Sequence, residues 1–149
     1  MRTFVLVVAA LGLGVAPVAA QAPAAGAAPA HGPDHLRFIG QGGTLSNAVV
    51  AGNTVYLSGV LGDRGGPTVE EQTHAIMQTI RNNLAEVGGT MDDVVKCLVM
   101  MADLSERPKI NPVYASYFPN TKPARSAIGV DLGGPLIEVE CIAILPENN

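Results

Sequence analysis

Four polar residues in or at the ends of apolar runs carry whatever chemistry this chain can do on a small anion. Arg125 stands near the start of Pro123-Ala-Arg-Ser-Ala-Ile-Gly-Val130, and Glu138 and Glu140 stand inside Leu136-Ile-Glu-Val-Glu-Cys-Ile-Ala-Ile144. Ser58 ends the run Thr54-Val-Tyr-Leu-Ser-Gly59. A guanidinium fork grips a planar carboxylate through two parallel hydrogen bonds. A carboxylate held beside a water can orient it and take its proton. Two readings stay open for the pair of runs. Either they form a half-buried sheet with a solvated face, or Arg125 holds a carboxylate while Glu140 handles a water. Ser58 is likewise either a strand-end hydroxyl bonded to backbone or a hydroxyl at a pocket mouth, with Gly59 letting a ligand approach the chain.

The elements that must position these residues follow from periodicity. Strand alternation puts Glu138 and Glu140 on one face and Ile137, Val139 and Cys141 on the other. Leu36–Ile39 reads as a short strand, and Ala48–Ala51 and Thr54–Gly59 as a hairpin joined by Gly52-Asn53. Leu61–Pro67 reads as loop. Thr68-Val-Glu-Glu71 is a capping box that opens a helix running to Val87. Ile76, Met77, Ile80, Leu84 and Val87 form its apolar stripe, and Gly88-Gly89 ends it. Val94–Ala102 is a nearly continuous apolar strand. Asn111-Pro112 fits the N-cap and first position of a second helix; an earlier start near Ser105 would leave Pro112 inside it. Val113, Tyr114, Tyr117 and Phe118 would be its buried stripe. The order of elements predicts an α+β layer, with a mixed sheet and two helices packed on one face.

Before these elements comes a different composition. Met1-Arg-Thr is a basic start, Phe4–Ala16 an unbroken apolar run, and Val18 and Ala20 are small residues suited to cleavage after Ala20. That order predicts a signal peptide over 1–20; the apolar run falls short of the roughly 20 residues of a membrane span. Residues 21–35, rich in Ala, Pro and Gly, read as a flexible spacer. His31 and His35 at its end have no further ligand cluster, so no metal is expected. The expected location is outside the cytoplasm, periplasmic in a Gram-negative cell, with no membrane attachment after cleavage. The remaining domain, 36–149, has room for one modest core that self-association would help.

Nine basic and thirteen acidic residues give a net charge of −4, and loss of Arg2 with the leader takes it to −5. Phosphate binding needs Lys and Arg, so nucleic acid is not an expected partner. There is no Gly-rich phosphate loop, zinc spacing or serine elbow. Cys97 and Cys141 each sit in an apolar strand-like run. An oxidising compartment allows a bridge, but the residues alone favour two buried thiols.

The runs Asn53-Thr-Val-Tyr-Leu-Ser-Gly59, Asn111-Pro-Val-Tyr-Ala-Ser-Tyr-Phe118, Pro123-Ala-Arg-Ser126 and Ile137-Glu-Val-Glu-Cys-Ile-Ala143 occur in order. Together they resemble the YjgF/RidA family, the reactive-intermediate imine deaminases, across Gly43–Pro146. The resemblance implies a chorismate-mutase-like fold assembled as a homotrimer, with sites in the clefts between subunits. It implies cofactor-independent hydrolysis of 2-imino acids and enamines to 2-keto acids and ammonia. In that frame Arg125 binds the substrate carboxylate, Glu140 positions the water, and Ser58 and Asn111 hydrogen-bond substrate or water. The family's strand order also sets the strand of Cys97 antiparallel to that of Cys141, which admits a bridge in an exported form.

Three positions and one turn depart from the family pattern. Leu45 stands where the family has tyrosine, Ala127 where it often has cysteine and Val60 where it usually has glutamine. The turn before Glu138 is about two residues shorter. These departures feed an alternative: an exported protein of the same fold that binds small 2-imino or 2-keto carboxylates with little or no turnover. A third reading, RNA cleavage or translation inhibition, runs against the acidic charge and the leader.

Overall fold

The computed structural model describes residues 35–147. The expected signal peptide and all of the spacer except His35 lie outside the described residues. Seven strands form one mixed sheet: β1 (Leu36–Ile39), β2 (Ala48–Ala51), β3 (Thr54–Leu57), β4 (Val60–Leu61), β5 (Val94–Met101), β6 (Ala124–Gly129) and β7 (Ile137–Ile144). Two helices, α1 (Val69–Ala85) and α2 (Arg107–Ser116), complete the domain. The strand order is β1-β2-β3-β7-β5-β6, with β4 also on β7. All pairings are antiparallel except β5 with β6. The expected α+β architecture is the one observed.

Local signals decide several ends. Thr68 accepts from the Glu71 amide at 3.3 Å while the Glu71 carboxylate accepts from the Thr68 amide at 3.1 Å, so the capping box satisfies two of the helix's orphan donors. After α1, Gly88 turns to a φ of 80°, and the Gly89 amide returns to the Leu84 carbonyl at 2.9 Å. The stripe Ile76, Met77, Ile80 and Leu84 is fully buried. It packs with the inward faces of β3, β5 and β7, including Val55, Val99, Ile137 and Val139.

Three expectations change. The loop expected at Leu61–Pro67 begins with β4, a two-residue strand against β7. From Tyr56 on β3 to Val60 on β4 the chain has one residue more than the stretch of β7 it pairs with, from Ile142 to Val139. The extra residue makes a bulge at Leu57–Gly59. Second, α2 starts at Arg107 and carries Pro112 inside it, so Asn111 is a helix-interior residue and not an N-cap. Asp103 accepts from the Ser105 amide and a 3-10 turn over Leu104–Glu106 starts the coil earlier. In so short a helix Pro112 removes one ladder bond. Third, the cysteines are not thiols. Cys97 and Cys141 are register partners on β5 and β7 with Cα atoms 4.1 Å apart, and they form a disulfide.

The register separates two faces. Arg125 pairs with Cys97, and Cys97 with Cys141, so these three share the face under the helices. Ser126 pairs with Leu98, and Leu98 with Glu140; these three lie on the opposite face. That second face carries no helix. Phe38, Tyr56, Ile128 and Ile144 are exposed on it.

Candidate active site

Arg125 lies on the edge strand β6 and meets α2. Its Nη2 donates to Asn111 Oδ1 at 2.8 Å, and its guanidinium sits 4.7 Å from the Tyr114 ring centroid. Asn111 and Tyr114 are three apart on α2, so they share a helix face. One side chain fixes an end of the fork and the other carries its plane as a cation–π platform. A cavity of about 420 Å³ opens here, lined also by Lys122 and Pro123. The Lys122 ammonium donates to the Phe118 carbonyl. Arg125 has no acidic partner among the described residues, so its charge is available to a ligand carboxylate.

Tyr114 was legible only as part of a buried stripe. Its spacing from Asn111 carried the further signal, once both are placed inside one helix. Its hydroxyl is buried without a hydrogen-bond partner among the described residues. Burial pushes that hydroxyl up to about 12, and the Arg125 charge opposes the rise; it is a neutral phenol at physiological pH. Tyr114→Phe keeps the platform and removes the orphan. Its urea midpoint should be unchanged or raised, by about 1 kcal/mol of stability. A fall of that size would mean the hydroxyl finds a partner in an assembled form.

Ser58 sits at the bulge. Its hydroxyl donates to the Ser46 carbonyl at 2.6 Å, as a strand-end hydroxyl does. It lines a separate cavity of about 260 Å³ with Leu45, Asn47 and Gly59. The space above Gly59 is not open to a ligand: a Cβ there would stand 2.0 Å from Glu138 Oε1. The absent side chain makes room for that carboxylate. Leu45 is 57% exposed at the cavity mouth. Ala127 lies on the helix-side face two residues beyond Arg125 and packs against the core.

Glu140 is exposed on the helix-free face. The chain therefore brings Asn111 to Arg125 and leaves Glu140 and Ser58 elsewhere. Arg125 and Glu140 stand on opposite faces with β5 between their strands, so the two side chains of one chain cannot close on one small substrate. Among the described residues no group of three or more His, Cys, Asp or Glu is placed to hold a metal ion, and no helix is long and apolar enough to cross a membrane.

Residues 39–145 match the family described as Endoribonuclease L-PSP. The chain belongs to this family, the YjgF/RidA group. Among its relatives is the chloroplastic Reactive Intermediate Deaminase A of Arabidopsis thaliana, 41% identical over 112 residues, which cover 69% of this chain and 59% of the plant protein. The 3-aminoacrylate deaminase RutC of Acinetobacter baylyi is 38% identical over 104 residues, 64% of this chain and 82% of that one. The crystal structure of yeast Mmf1 superposes with a TM-score of 0.70 at 30% identity, covering 74% of this chain and 99% of that one. An Entamoeba histolytica protein titled a putative endoribonuclease L-PSP gives 0.69 at 35% identity, with coverage of 74% and 99%. Relatives named as deaminases support an enzymatic, deaminating role at the level of the family.

Proposed function

We propose that this protein is a cofactor-independent hydrolase of reactive 2-imino acids and their enamine tautomers, releasing 2-keto acids and ammonia. The observation that carries the reading is Arg125, held between Asn111 and the Tyr114 ring and left without an acidic partner. Such a fork fixes a 2-imino carboxylate, and with it the adjacent imine carbon. Glu140 of a neighbouring subunit then orients a water and takes its proton as the oxygen bonds to that carbon. The C–N π electrons pass to nitrogen. The tetrahedral adduct collapses to the ketone, and the protonated nitrogen leaves as ammonia.

Assembly is part of the proposal, because one chain cannot supply both groups. The uncovered apolar face, with Phe38, Tyr56, Ile128 and Ile144 exposed, is the kind of surface that self-association buries. A closed ring of subunits, a homotrimer in this reading, repeats the same junction at every boundary. The Cys97–Cys141 bridge and the leader-like residues 1–20 support work in an oxidising compartment. The acidic net charge argues against RNA as substrate.

One observation favours the binding-protein alternative. Leu45 offers no hydroxyl beside Ser58, and Ser58 already donates to Ser46. The test is imine hydrolysis by purified residues 21–149. An amino-acid oxidase generates 2-iminopropanoate or 2-iminobutanoate in situ, and semicarbazide traps what survives. Faster loss of imine than without the protein is expected. No acceleration across several imino acids, with 2-keto acids still bound through Arg125, would leave the binding protein.

A further inference from the structure

The far side of α1, away from the sheet, carries a second cavity that the Arg125 site does not use. His74, Gln78, Arg81 and Ala85 recur at four, three and four residues, so they form one stripe along the helix. That stripe, the residues Gly89–Asp92 before β5 and the end of α2 border an open cleft of about 610 Å³. The volume lies within the range of small-molecule sites. No lining residue is shared with the Arg125 cavity.

The chemistry of the walls is uneven in an informative way. Ala85, Met91 and Pro119 contribute apolar surface. The cavity also holds one fixed charge of each sign, Arg81 and Asp92. These two do not form an ion pair; the ion pair among the described residues joins Lys109 to Glu106. Arg81 is held rather than neutralised. Its Nη2 donates to Gln78 Oε1 at 2.5 Å, and the guanidinium stands 5.7 Å from the Tyr117 ring centroid. Tyr117 is itself fixed: its hydroxyl donates to the His74 carbonyl at 3.1 Å and lies 2.9 Å from His74 Nδ1. Asp92 accepts from Asn120 Nδ2 at 2.8 Å and from the Thr121 hydroxyl at 3.4 Å. A carboxylate offers about four acceptor positions, so Asp92 keeps capacity for a cationic donor.

A ligand with a single charge would meet one of these groups and leave the other without an opposite charge in the cleft. A ligand carrying a carboxylate for the Arg81 fork and an ammonium for Asp92, on a body that covers the apolar wall, satisfies both. An α-amino acid places those two charges on one carbon. We propose that this cleft is a binding site for a zwitterionic α-amino acid with an apolar side chain, separate from the Arg125 site.

The probe is L-leucine, added to the assembled protein and followed by two-dimensional NMR or calorimetry. Saturable binding at millimolar concentration is expected, with shifts at His74, Arg81, Thr90 and Tyr117. Arg81→Gln and Asp92→Asn should each weaken it at least tenfold. The single-charge analogues 4-methylpentanoate and 3-methylbutylamine should bind at least tenfold more weakly than leucine. Arg81 and Ala85 are exposed, so Ala85→Trp fills the cleft without touching the core; it should abolish binding, while Arg125→Ala leaves it intact. No saturable binding, equal binding of 4-methylpentanoate, or loss of binding in Arg125→Ala with retention in Arg81→Gln would each overturn the proposal.

Discussion

Mixing two dead variants should restore activity. In the proposed mechanism Arg125→Ala removes the carboxylate fork and Glu140→Ala the group that handles water, so each alone should lower imine hydrolysis by about 10²–10³-fold. The two residues lie on opposite faces of one sheet. A working site must therefore draw Arg125 from one subunit and Glu140 from another. In a ring assembled at random from equal amounts of the two variants, a junction works when its arginine comes from a Glu140→Ala chain and its glutamate from an Arg125→Ala chain. Roughly one junction in four meets that condition. Co-refolded mixtures should then show about a quarter of wild-type activity, against almost none for either variant alone. Full assembly with no recovery would mean that the residues do not meet across a boundary, and the catalytic roles given to the pair would fall.

That experiment turns on a relation that no single stretch of sequence contains. Alternation along Leu136–Ile144 was enough to put Glu138 and Glu140 together and opposite Val139 and Cys141, because parity within a strand is local. Parity between strands is not. Whether Arg125 shares a face with Glu140 depends on the register of β6 on β5 and of β5 on β7, which is set by packing over long chain separations. The same reason left the disulfide open on the residues alone, since Cys97 and Cys141 become partners only through the β5–β7 register, which the family's strand order had admitted. Signals written within a few residues were legible: the Thr68–Glu71 box, the Gly52-Asn53 turn, the stripe of α1. Asn111-Pro112 shows how such a signal can lose. It has the form of a helix start, but the Asp103 cap and the 3-10 turn over Leu104–Glu106 begin the helix one turn sooner. The change bears on the site, because Asn111 and Tyr114 sit three apart inside the helix and meet Arg125 together. β4 left no local trace, being two residues whose strand identity comes from β7.

The bridge that sequence left open should also dominate the stability of the domain. Cys97 and Cys141 are 44 residues apart in sequence. Closing a loop of that length lowers the entropy of the unfolded chain by an amount worth about 4 kcal/mol in the chain-entropy account. A typical domain has a total of about 5–15 kcal/mol, so the bridge supplies a large share of the stability. Both sulfurs lie in the core, with Cys97 0% and Cys141 2% exposed. A reductant under native conditions should therefore leave the bridge intact until the sheet opens, and reduction should proceed no faster than unfolding. Reduction in urea, alkylation of the thiols and refolding should give a protein whose thermal midpoint is lower by roughly 10–20 °C. Because alkylated thiols would also overfill the core, the matched control is Cys97→Ala with Cys141→Ser, which keeps the two side chains small. It should lose a comparable amount of stability without any added bulk. Coincident unfolding of the oxidised wild type and this double variant would mean that the bridge contributes nothing. Titratable thiols in the native, unreduced protein after denaturation would mean that it does not form.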